Sequence, residues 1–548
     1  MNRLLAQIVA FSFALIAINV GAQTLPAGFV RESVLAVSAP TALAFTPDGR
    51  LLVTTQGGRL LVKNGAAPEV TALTFNAAST GADPKICSNS ERGLLGVAVD
   101  PLFASNQFIY LFYTARNGSP DCGTGSVYVD GVGNYTPAGK PVNRVSRFTL
   151  GSNNIVLPTT ELPIIDNMPS FAGNHNAGDV HFGKDGFLYV SIGDGGTDYA
   201  GDSGGGGGND AARDKHVLTG KILRVTRTGG VPPGNPFTGV GTGVCAVTGA
   251  TTAGNHCQET FAWGLRNPFR FSMDSNAVGT RFFINDVGQG AWEEVDEGKA
   301  GADYGWNCRE GAHVNSTTGK CNPTPANMID PIFEYPHGGA VVPGTAISGC
   351  NSITGGAFVP NGVWPLAYDN KYLLVDFICA GMFSIPVGAA PQPVVTAAET
   401  FATGVSSATT LVFGPSGSTQ ALHYTSYATG VSRIRFVRSL DFDDDGRYDA
   451  ATDGLLLLRY LVGLRGAPLI EGARGPTARR DAAAIASYIA ALGNSLDIDG
   501  DGSVKATTDG LLVLRYLLDL RGSALTSGAS ATNKAVGVIE NDLQALRP

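Results

Sequence analysis

Residues 174–196, NHNAGDVHFGKDGFLYVSIGDGG, contain both a repeating structural unit and a candidate reacting group. Apolar residues alternate with other residues on both sides of a Lys-Asp-Gly turn at 184–186, which is typical of a β-hairpin. His175 precedes this hairpin and Asp194 follows it. Because the outer ends of two paired strands lie together, we expect His175 and Asp194 to meet at one end of the hairpin.

Five further segments before residue 437 have the same form, an apolar strand, a turn rich in Pro, Asp or Gly, and a second apolar strand. Most are followed by another short apolar strand. Small sheets repeated in this way close into a ring, so the sequence predicts an all-β, six-bladed β-propeller. A β-sandwich is the alternative, but six similar units with long insertions fit radial repetition better. The six units begin at Thr41, Leu94, Gly178, Phe269, Gly355 and Thr409.

The first 22 residues have a cationic start, an apolar run and a small-residue end, which is typical of a cleaved signal peptide. The mature chain would begin near Gln23, and no later run reaches the roughly 20 apolar residues of a membrane span. We therefore expect a secreted or periplasmic protein with the propeller at 23–437 and a second domain at 438–548. The net charge of −8 argues against a nucleic-acid partner.

All eight cysteines lie after the predicted signal, and an even number in an exported chain indicates disulfides. We expect neighbours in the sequence to pair. None has the C-x-x-C spacing of a zinc site. The cysteines are Cys87, Cys122, Cys245, Cys257, Cys308, Cys321, Cys350 and Cys379.

The residues after 437 carry a second repeat, an Asp-rich loop followed by a helix of the form L-L-x-L-R-Y-L, in two copies 56 positions apart. Alternate carboxylates followed by Gly are how an EF-hand loop binds Ca²⁺. The final acid stands at loop position 13 instead of 12 in both copies, which indicates a loop one residue longer. Solvated acidic turns that cap two helices are the alternative. The predicted ligands are Asp441, Asp443, Asp445 and Asp453, then Asp497, Asp499, Asp501 and Asp509.

Three sets of residues could carry chemistry in the propeller. His175 could act as a general base, because imidazole titrates near neutral pH, with Asp194 fixing its tautomer. A structural histidine at a hairpin end is the alternative. Arg266 could bind a carboxylate through two hydrogen bonds, and Asn267 follows it directly. The third set, oxygen ligands that could bind calcium, consists of Glu293, Glu294 and Asp296.

Five motifs in the propeller together resemble the glucose/sorbosone dehydrogenase family. That family comprises the soluble pyrroloquinoline quinone (PQQ) sugar dehydrogenases and their hedgehog-interacting-protein-like relatives. The motifs occur in the family's order across residues 28–437. They are ERGLLGVAVDPLF from Glu91, the 174–196 stretch, GKILRV from Gly220, GLRNPFR from Gly264 and DVGQGAWEEVDEGKAGADYGW from Asp286.

The resemblance implies a role for each matching residue. His175 would be the base that takes the proton of a sugar's anomeric hydroxyl while hydride passes to PQQ, and Asp194 would orient it. Arg266, Asn267, Asn174 and Glu91 would contact the cofactor. Calcium would be held by the carbonyls of Gly288 and Gln289 at the cofactor, and by Glu294 with the carbonyls of Tyr304 and Glu310 at a second, structural site.

The chain departs from the family at three positions. Glu91 stands where the dehydrogenases commonly have Gln, Cys379 stands where the glucose enzyme has a cofactor-binding Lys, and SSATT at 406–410 lacks two arginines. Two hypotheses follow, a PQQ- and calcium-dependent aldose dehydrogenase, or a non-catalytic propeller that binds carbohydrate or protein.

The two loop-helix units at about 440–548 resemble the dockerin modules of secreted polysaccharide-degrading systems. The resemblance implies a small α-helical, calcium-folded domain that docks to a protein partner.

Overall fold

The computed structural model describes residues 24–75, 86–123, 128, 135–196, 211–417 and 419–547. The predicted signal peptide, residues 1–22, lies outside the described residues. Six four-stranded antiparallel sheets form in the described part of the chain and are arranged as the blades of a propeller, which confirms the predicted fold class. We number the blades 1 to 6 in chain order.

The strands of each blade follow one another in the sequence, except in blade 6. Blade 1 contains Pro40–Phe45, Leu51–Thr55, Arg59–Lys63 and Val70–Thr74; blade 2 contains Leu94–Val99, Phe108–Ala115, Val142–Thr149 and Leu162–Pro169; blade 3 contains Val180–Phe182, Leu188–Ile192, Lys221–Val225 and Thr260–Trp263; blade 4 contains Pro268–Met273, Phe282–Asp286, Trp292–Glu297 and Phe333–Pro336; blade 5 contains Ile353–Phe358, Lys371–Asp376, Gly381–Pro386 and Glu399–Thr403; blade 6 contains Ala408–Ser416, Thr419–Ser426, Gly430–Phe436 and, as its outer strand, Phe29–Leu35.

The N-terminal strand closes the ring, a feature that the sequence analysis did not anticipate. Phe29–Leu35 pairs antiparallel with Gly430–Phe436, so blade 6 combines both ends of the propeller chain. The side chains support this pairing, because the Glu32 carboxylate accepts hydrogen bonds from Arg433 and Arg435, at 2.7 Å each. The ring is therefore held closed by backbone pairing and by two ion pairs.

The blade 3 hairpin forms as predicted. Val180 pairs with Val190 and Phe182 with Leu188. Gly186 takes a left-handed φ of 78°, which suits glycine, and the Asp185 carboxylate accepts the backbone N–H of Phe187. The turn residues thus fix the register that brings the two ends of the hairpin together.

The first strand of each blade contacts the first strand of a neighbouring blade in most cases, which places these strands at the central axis. In five blades this strand carries a register shift near its start, for example between Pro268 and Arg270 in blade 4. Such bulges twist a strand and redirect the residues beside it. The segments that precede the first strands of blades 2, 3 and 4 therefore converge at one face.

Four disulfides form among the described residues, and they join neighbours in the sequence as expected. The bonds are Cys87–Cys122, Cys245–Cys257, Cys308–Cys321 and Cys350–Cys379.

The tail, which the structure describes over residues 438–547, consists of short helices around its own apolar core. Each Asp-rich loop leads into one π-helical turn and then an α-helix, and Leu456, Leu512 and Tyr488 are among the buried residues. The π turns are Ala450–Gly454 and Ala506–Gly510, and the α-helices are Leu455–Leu461, Ala467–Ile470, Ala482–Leu492, Leu511–Leu517, Ser523–Thr526 and Val536–Ala545.

Shorter elements complete the described chain. Two-stranded pairs join Thr242–Gly243 to His256–Cys257 and Arg309–Glu310 to His313–Val314. A short α-helix spans Phe103–Asn106, and 3-10 turns span Pro158–Thr160, Ala211–Arg213, Gly319–Cys321, Leu366–Tyr368 and Gly493–Leu496. Within the described ranges, no helix combines the length and the apolar character needed to cross a bilayer.

Candidate active site

His175 and Asp194 lie at the converging face and form a buried pair. The distance from His175 Nδ1 to Asp194 Oδ1 is 2.6 Å, and the side chains are 6% and 0% exposed. The other oxygen of Asp194, Oδ2, accepts a hydrogen bond of 2.9 Å from the indole Nε1 of Trp306. The backbone N–H of Gly196 donates to Oδ1 at 2.8 Å. The buried carboxylate is therefore held by three donors, the imidazole, the indole and one backbone N–H.

The backbone around His175 takes an unusual conformation. His175 and Ala177 have φ values of 50° and 49°, in the left-handed region that residues other than glycine rarely adopt. Gly193 packs against this segment, and only glycine fits there, because a side chain would collide with the carbonyl oxygen of His175. The close approach of these two segments sets the position of the imidazole.

Arg266 and Asn267 precede the first strand of blade 4, and both face the same site. The Arg266 guanidinium donates to Gln289 Oε1 from Nε and Nη2, at 3.1 and 2.9 Å, and to the Val287 carbonyl at 2.8 Å. Its centre lies 5.6 Å from the ring centroid of Trp306. These contacts hold the cation in one orientation.

Asp286 anchors the backbone of these two residues. Its carboxylate accepts the N–H groups of Arg266 and Asn267, at 2.8 and 2.6 Å. Burial raises the pKa of Asp286 to about 7, and the two backbone N–H groups and the Arg266 charge act against that rise. The sequence analysis gave Asp286 and Trp306 no role, although both lie in the quoted motif from Asp286 to Trp306.

Glu91 reaches the site from the segment before blade 2. Its Oε2 accepts the backbone N–H of His175 at 2.7 Å and the side-chain amide of Asn267 at 3.4 Å. Asn267 Oδ1 in turn accepts the N–H of Ala177 at 3.1 Å. One carboxylate and one amide thus join the segments from blades 2, 3 and 4.

Asn174 lies beside the pair with its amide oxygen buried. That oxygen, Oδ1, has no hydrogen-bond partner within the ranges that the structure describes. A side chain at Gly196 would collide with it. The site therefore presents a buried polar atom that a bound group could use.

Residues 288–292 form a loop that is shaped by two carboxylates. Glu310 Oε1 accepts the N–H groups of four consecutive residues from Gln289 to Trp292, at 2.7 to 3.2 Å. Burial of Glu310 opposes ionisation, but these four bonds prevail and lower its pKa. Glu293 Oε2 accepts the N–H of Gly288 at 3.3 Å. The loop is thus fixed from both sides.

Glu294 belongs to a buried acidic cluster in blade 4. Glu294 Oε2 and both carboxylate oxygens of Asp296 have no hydrogen-bond partner among described residues. Burial, then the charge of Asp296, raise the pKa of Glu294 well above its usual range. Tyr304 lies close enough to interact electrostatically with both Asp296 and Glu294. The Glu310 side chain is instead hydrogen-bonded to the 288–292 loop.

A sequence model of the family described as glucose / sorbosone dehydrogenase matches residues 37–361. The chain belongs to this family. The match spans more than half of the chain and covers the segments that carry His175, Asp194 and Arg266.

Two named proteins are similar to this chain over about half of its length. The HIPL2 protein of Arabidopsis thaliana is 28% identical over 336 residues, which cover 55% of this chain and 44% of that protein. The aldose sugar dehydrogenase YliI of Escherichia coli (strain K12) is 27% identical over 271 residues, 49% of this chain and 58% of that protein. The chain thus spans about half the length of these relatives.

Two solved structures share the fold. The PQQ-bound aldose sugar dehydrogenase of Streptomyces coelicolor aligns with a TM-score of 0.50 at 19% identity and covers 75% of this chain and 99% of its own. The apo-form of the soluble aldose sugar dehydrogenase of Escherichia coli aligns with a TM-score of 0.51 at 19% identity, covering 74% and 99%. At these identities the likeness concerns the propeller fold.

Two of the positions at which this chain departs from the glucose/sorbosone dehydrogenase family lie in well-defined local structure. Cys379 is bonded to Cys350, so its side chain joins two loops of blade 5. Ser407 has a φ of 53°, and the Ser406 carbonyl accepts the Ser426 hydroxyl at 3.0 Å. Neither segment offers a cation at these positions.

The tail brings together three of the four predicted acids of each loop. Carboxylate oxygens of Asp441, Asp443 and Asp453 lie within 4.8 Å of one another, and the same holds for Asp497, Asp499 and Asp509. Asp445 and Asp501 are not part of these groups. Asp445 accepts the N–H of Arg447, and Asp501 accepts that of Ser503 and the Lys505 ammonium.

The longer loops are accommodated by the π turns. The N–H of Gly454 bonds to the Asp449 carbonyl, and that of Gly510 to the Lys505 carbonyl, so each turn contains one residue more than an α-helical turn. The extra residue lets Asp453 and Asp509 reach back over their loops, where they accept the N–H groups of Phe442 and Ile498 at 2.7 Å. Both copies share the same arrangement.

Proposed function

We propose that this protein is a PQQ- and calcium-dependent dehydrogenase that oxidises the anomeric carbon of an aldose to a lactone. The observation that carries the proposal is the buried pair of His175 and Asp194, 2.6 Å apart, beside Arg266 and Asn267. Membership of the glucose/sorbosone dehydrogenase family supports it.

The residues present fit a carboxylate-bearing cofactor. Arg266 would bind one carboxylate, and Asn174, Asn267 and Glu91 would contact the same molecule. The buried oxygen of Asn174, which has no partner among the described residues, is consistent with such a contact. The carbonyls of Gly288 and Gln289 would hold a calcium ion, and Glu294 with the carbonyls of Tyr304 and Glu310 would hold a second, structural one.

The chain's own residues would perform the acid-base part of the reaction. Because Asp194 engages Nδ1, His175 would use Nε2 to take the proton of the anomeric hydroxyl. Asp194 would keep the imidazole in that tautomer and stabilise the imidazolium that forms. PQQ, when bound, supplies the acceptor for the hydride that leaves the anomeric carbon. The sugar thus loses one hydride and one proton, and His175 later releases its proton to solvent.

Incubation of the purified protein with PQQ and Ca²⁺, followed by dye reduction with a panel of aldoses, tests this function. We expect quinone absorbance on the protein and sugar-dependent turnover, both absent without added PQQ. Bound PQQ without turnover on any aldose would reject the substrate class, and no bound PQQ would reject the cofactor.

A non-catalytic binding propeller is the second candidate, and specific residues favour it. Glu91 adds a negative charge where PQQ would bring three carboxylates, and the Cys350–Cys379 disulfide and Ser406–Ser407 stand where cations are expected. Under this alternative the same face would bind a carbohydrate or protein without oxidising it. Sugar binding by calorimetry with no PQQ uptake would favour it.

We also propose that the tail binds calcium at its two acidic loops. Asp443 is fully buried, and its Oδ1 has no hydrogen-bond partner among the described residues, which suits an oxygen ligand that awaits a cation. Asp445 and Asp501, which also belong to the predicted ligand sets, could turn towards the ion when it binds. Calcium titration of the full-length protein, compared with a variant carrying both D453N and D509N, tests this proposal.

We propose a protein partner for the tail, because its repeat resembles dockerin modules. Equivalent apolar residues are exposed at the ends of both repeat helices, Val462 at 65% and Leu518 at 57%. Calcium-dependent binding to a cohesin-type domain, lost on V462D together with L518D, would support the proposal.

We propose a location outside the cytoplasm. Four disulfides in one chain are typical of proteins from oxidising compartments. N-terminal sequencing of the exported protein should find a start near Gln23, and a retained residue 1 would reject the cleaved signal.

A further inference from the structure

Trp306 connects the two halves of the candidate site. Its indole Nε1 donates to Asp194 Oδ2 at 2.9 Å, and its ring lies 5.6 Å from the Arg266 guanidinium. Its backbone N–H donates to the carbonyl of Gly264 at 2.8 Å, two residues before Arg266. Trp306 is therefore bonded through its side chain to the acid of the pair and through its backbone to the segment that carries the cation.

We propose that Trp306 is a positioning residue that sets the basicity of His175 through Asp194. This inference rests on the proposed function of His175 as a general base. Asp194 has two oxygens, one facing the imidazole and one facing the indole. A donor on Oδ2 withdraws negative charge from Oδ1, so the carboxylate stabilises the imidazolium less than it would alone. Trp306 thereby keeps the imidazole less basic and holds the carboxylate plane towards it.

The influence of the indole bond on the imidazole is large because both Asp194 and Trp306 are buried. Asp194 is 0% exposed and Trp306 4% exposed, so the bond between them is shielded from bulk water. Among the described residues, the other charged groups beside the pair are Glu91, which accepts the His175 N–H, Asp286, whose charge interacts with that of Asp194, and Arg266, whose carbonyl accepts the Asp194 N–H. All three remain when only the indole N–H is lost, so a change in His175 reports the Trp306 bond.

The test is an NMR titration of the His175 imidazole in the full-length protein, assigned by its absence in H175N. In W306F we expect the pKa of His175 to rise, by at most roughly one unit, because only the part of the indole bond that differs between the neutral and the charged imidazole changes the pKa. The matched control is W364F, since the Trp364 indole N–H is buried but has no hydrogen-bond partner among described residues. W364F should leave the His175 titration unchanged.

A second substitution tests whether any effect of W306F comes from a change in packing instead of the lost N–H. Benzothienylalanine introduced at position 306 keeps the ring shape and lacks the N–H, and it should give the same upward shift. An unchanged or lowered His175 pKa in the substituted proteins, or an equal shift in W364F, would overturn the proposal.

Two further readouts separate this inference from the proposed function. The titration requires neither PQQ nor sugar, so absence of turnover in the parent protein would reject the dehydrogenase and leave the Trp306 result standing. In an active parent, the acid limb of the kcat profile should move to higher pH in W306F by the same amount, with KM for the aldose within about twofold. An acid limb that stays in place while the His175 pKa moves would remove His175 from the reaction.

Discussion

The imidazole of His175 and the carboxylate of Asp194, 19 residues apart in the chain, lie 2.6 Å from each other at the end of one hairpin. The distance follows from a local cause, because Val180 pairs with Val190 and the turn between the strands is only a few residues long. A longer or shorter turn would separate the pair. The most reactive feature of the molecule is thus encoded within 23 consecutive residues.

Replacing the base should remove turnover and spare the cofactor. In H175N we expect kcat to fall by roughly 10²- to 10⁴-fold, the usual contribution of a general base. PQQ affinity, measured by quenching of protein fluorescence, should remain near that of the parent, because His175 is not among the cofactor's charged contacts. Parental turnover in H175N would contradict the assigned role.

Replacing Arg266 should weaken cofactor binding, whereas replacing His175 should weaken turnover. In R266A we expect PQQ affinity to fall by about 10- to 100-fold, because charge-assisted bonds to a carboxylate are lost. R281A is a matched control, since Arg281 is paired with Glu297 in the same blade and away from the site. Equal PQQ affinity in R266A and the parent would show that the cofactor binds elsewhere.

The acid at position 91 should weaken cofactor binding. In E91Q the amide oxygen can still accept the N–H of His175, while one negative charge is removed. We expect PQQ to bind roughly tenfold more tightly, with the difference shrinking as salt is raised. E69Q, at an exposed position, should leave the affinity unchanged. Weaker binding in E91Q would instead show that the carboxylate itself holds the calcium or the cofactor.

Local patterns predicted the repeating hairpins and the pair, but long-range contacts could not be deduced from them. The closing strand pairs Glu32 with Arg433, 401 residues away, and no local pattern marks such a partner. Trp306 and Asp286 were missed because their roles depend on the direction in which a buried side chain points. The spacing also grouped Asp445 with its neighbours, whereas its carboxylate accepts a backbone N–H within the loop.

One buried histidine should make the protein sensitive to acid. His256 stacks on Phe237 with ring centroids 3.6 Å apart, and neither of its ring nitrogens has a hydrogen-bond partner among the described residues. Burial, then the nearby charges of Lys221 and Lys215, lower its pKa to about 3. Its stabilising contribution is therefore full above pH 6.5 and is lost as the pH falls from 6.5 towards 3, since only the unfolded state takes up the proton there.

Replacement by phenylalanine should remove that sensitivity. H256F keeps the stacked ring, and between pH 7 and 4 its unfolding free energy should fall by up to about 3 kcal/mol less than that of the parent. Urea unfolding at the two pH values measures the difference, with H313F at an exposed position as the control. Identical losses in H256F and the parent would show that His256 titrates normally.

The two acidic loops of the tail should differ in calcium affinity. Residues 441–453 contain six Asp and one Arg, a net charge of −6 + 1 = −5, whereas residues 497–509 contain four Asp and one Lys, −4 + 1 = −3. Asp449 in the first loop is replaced by Lys505 in the second, and the Lys505 ammonium lies 2.6 Å from Asp501. A cation already present in the second loop competes with calcium for its carboxylates.

Calorimetric titration of the full-length protein with calcium can resolve the two loops one at a time. D509N leaves only the first loop intact, and D453N leaves only the second. We expect D509N to bind calcium more tightly than D453N. Adding K505Q to D453N should tighten the remaining site by roughly two- to fivefold, the range expected for removing one exposed ion pair. The same K505Q change added to D509N should have no effect, because the titration then measures calcium binding to the first loop alone. Equal affinities in D509N and D453N, or tightening of both loops by K505Q, would show that the charge difference does not set calcium binding in the tail.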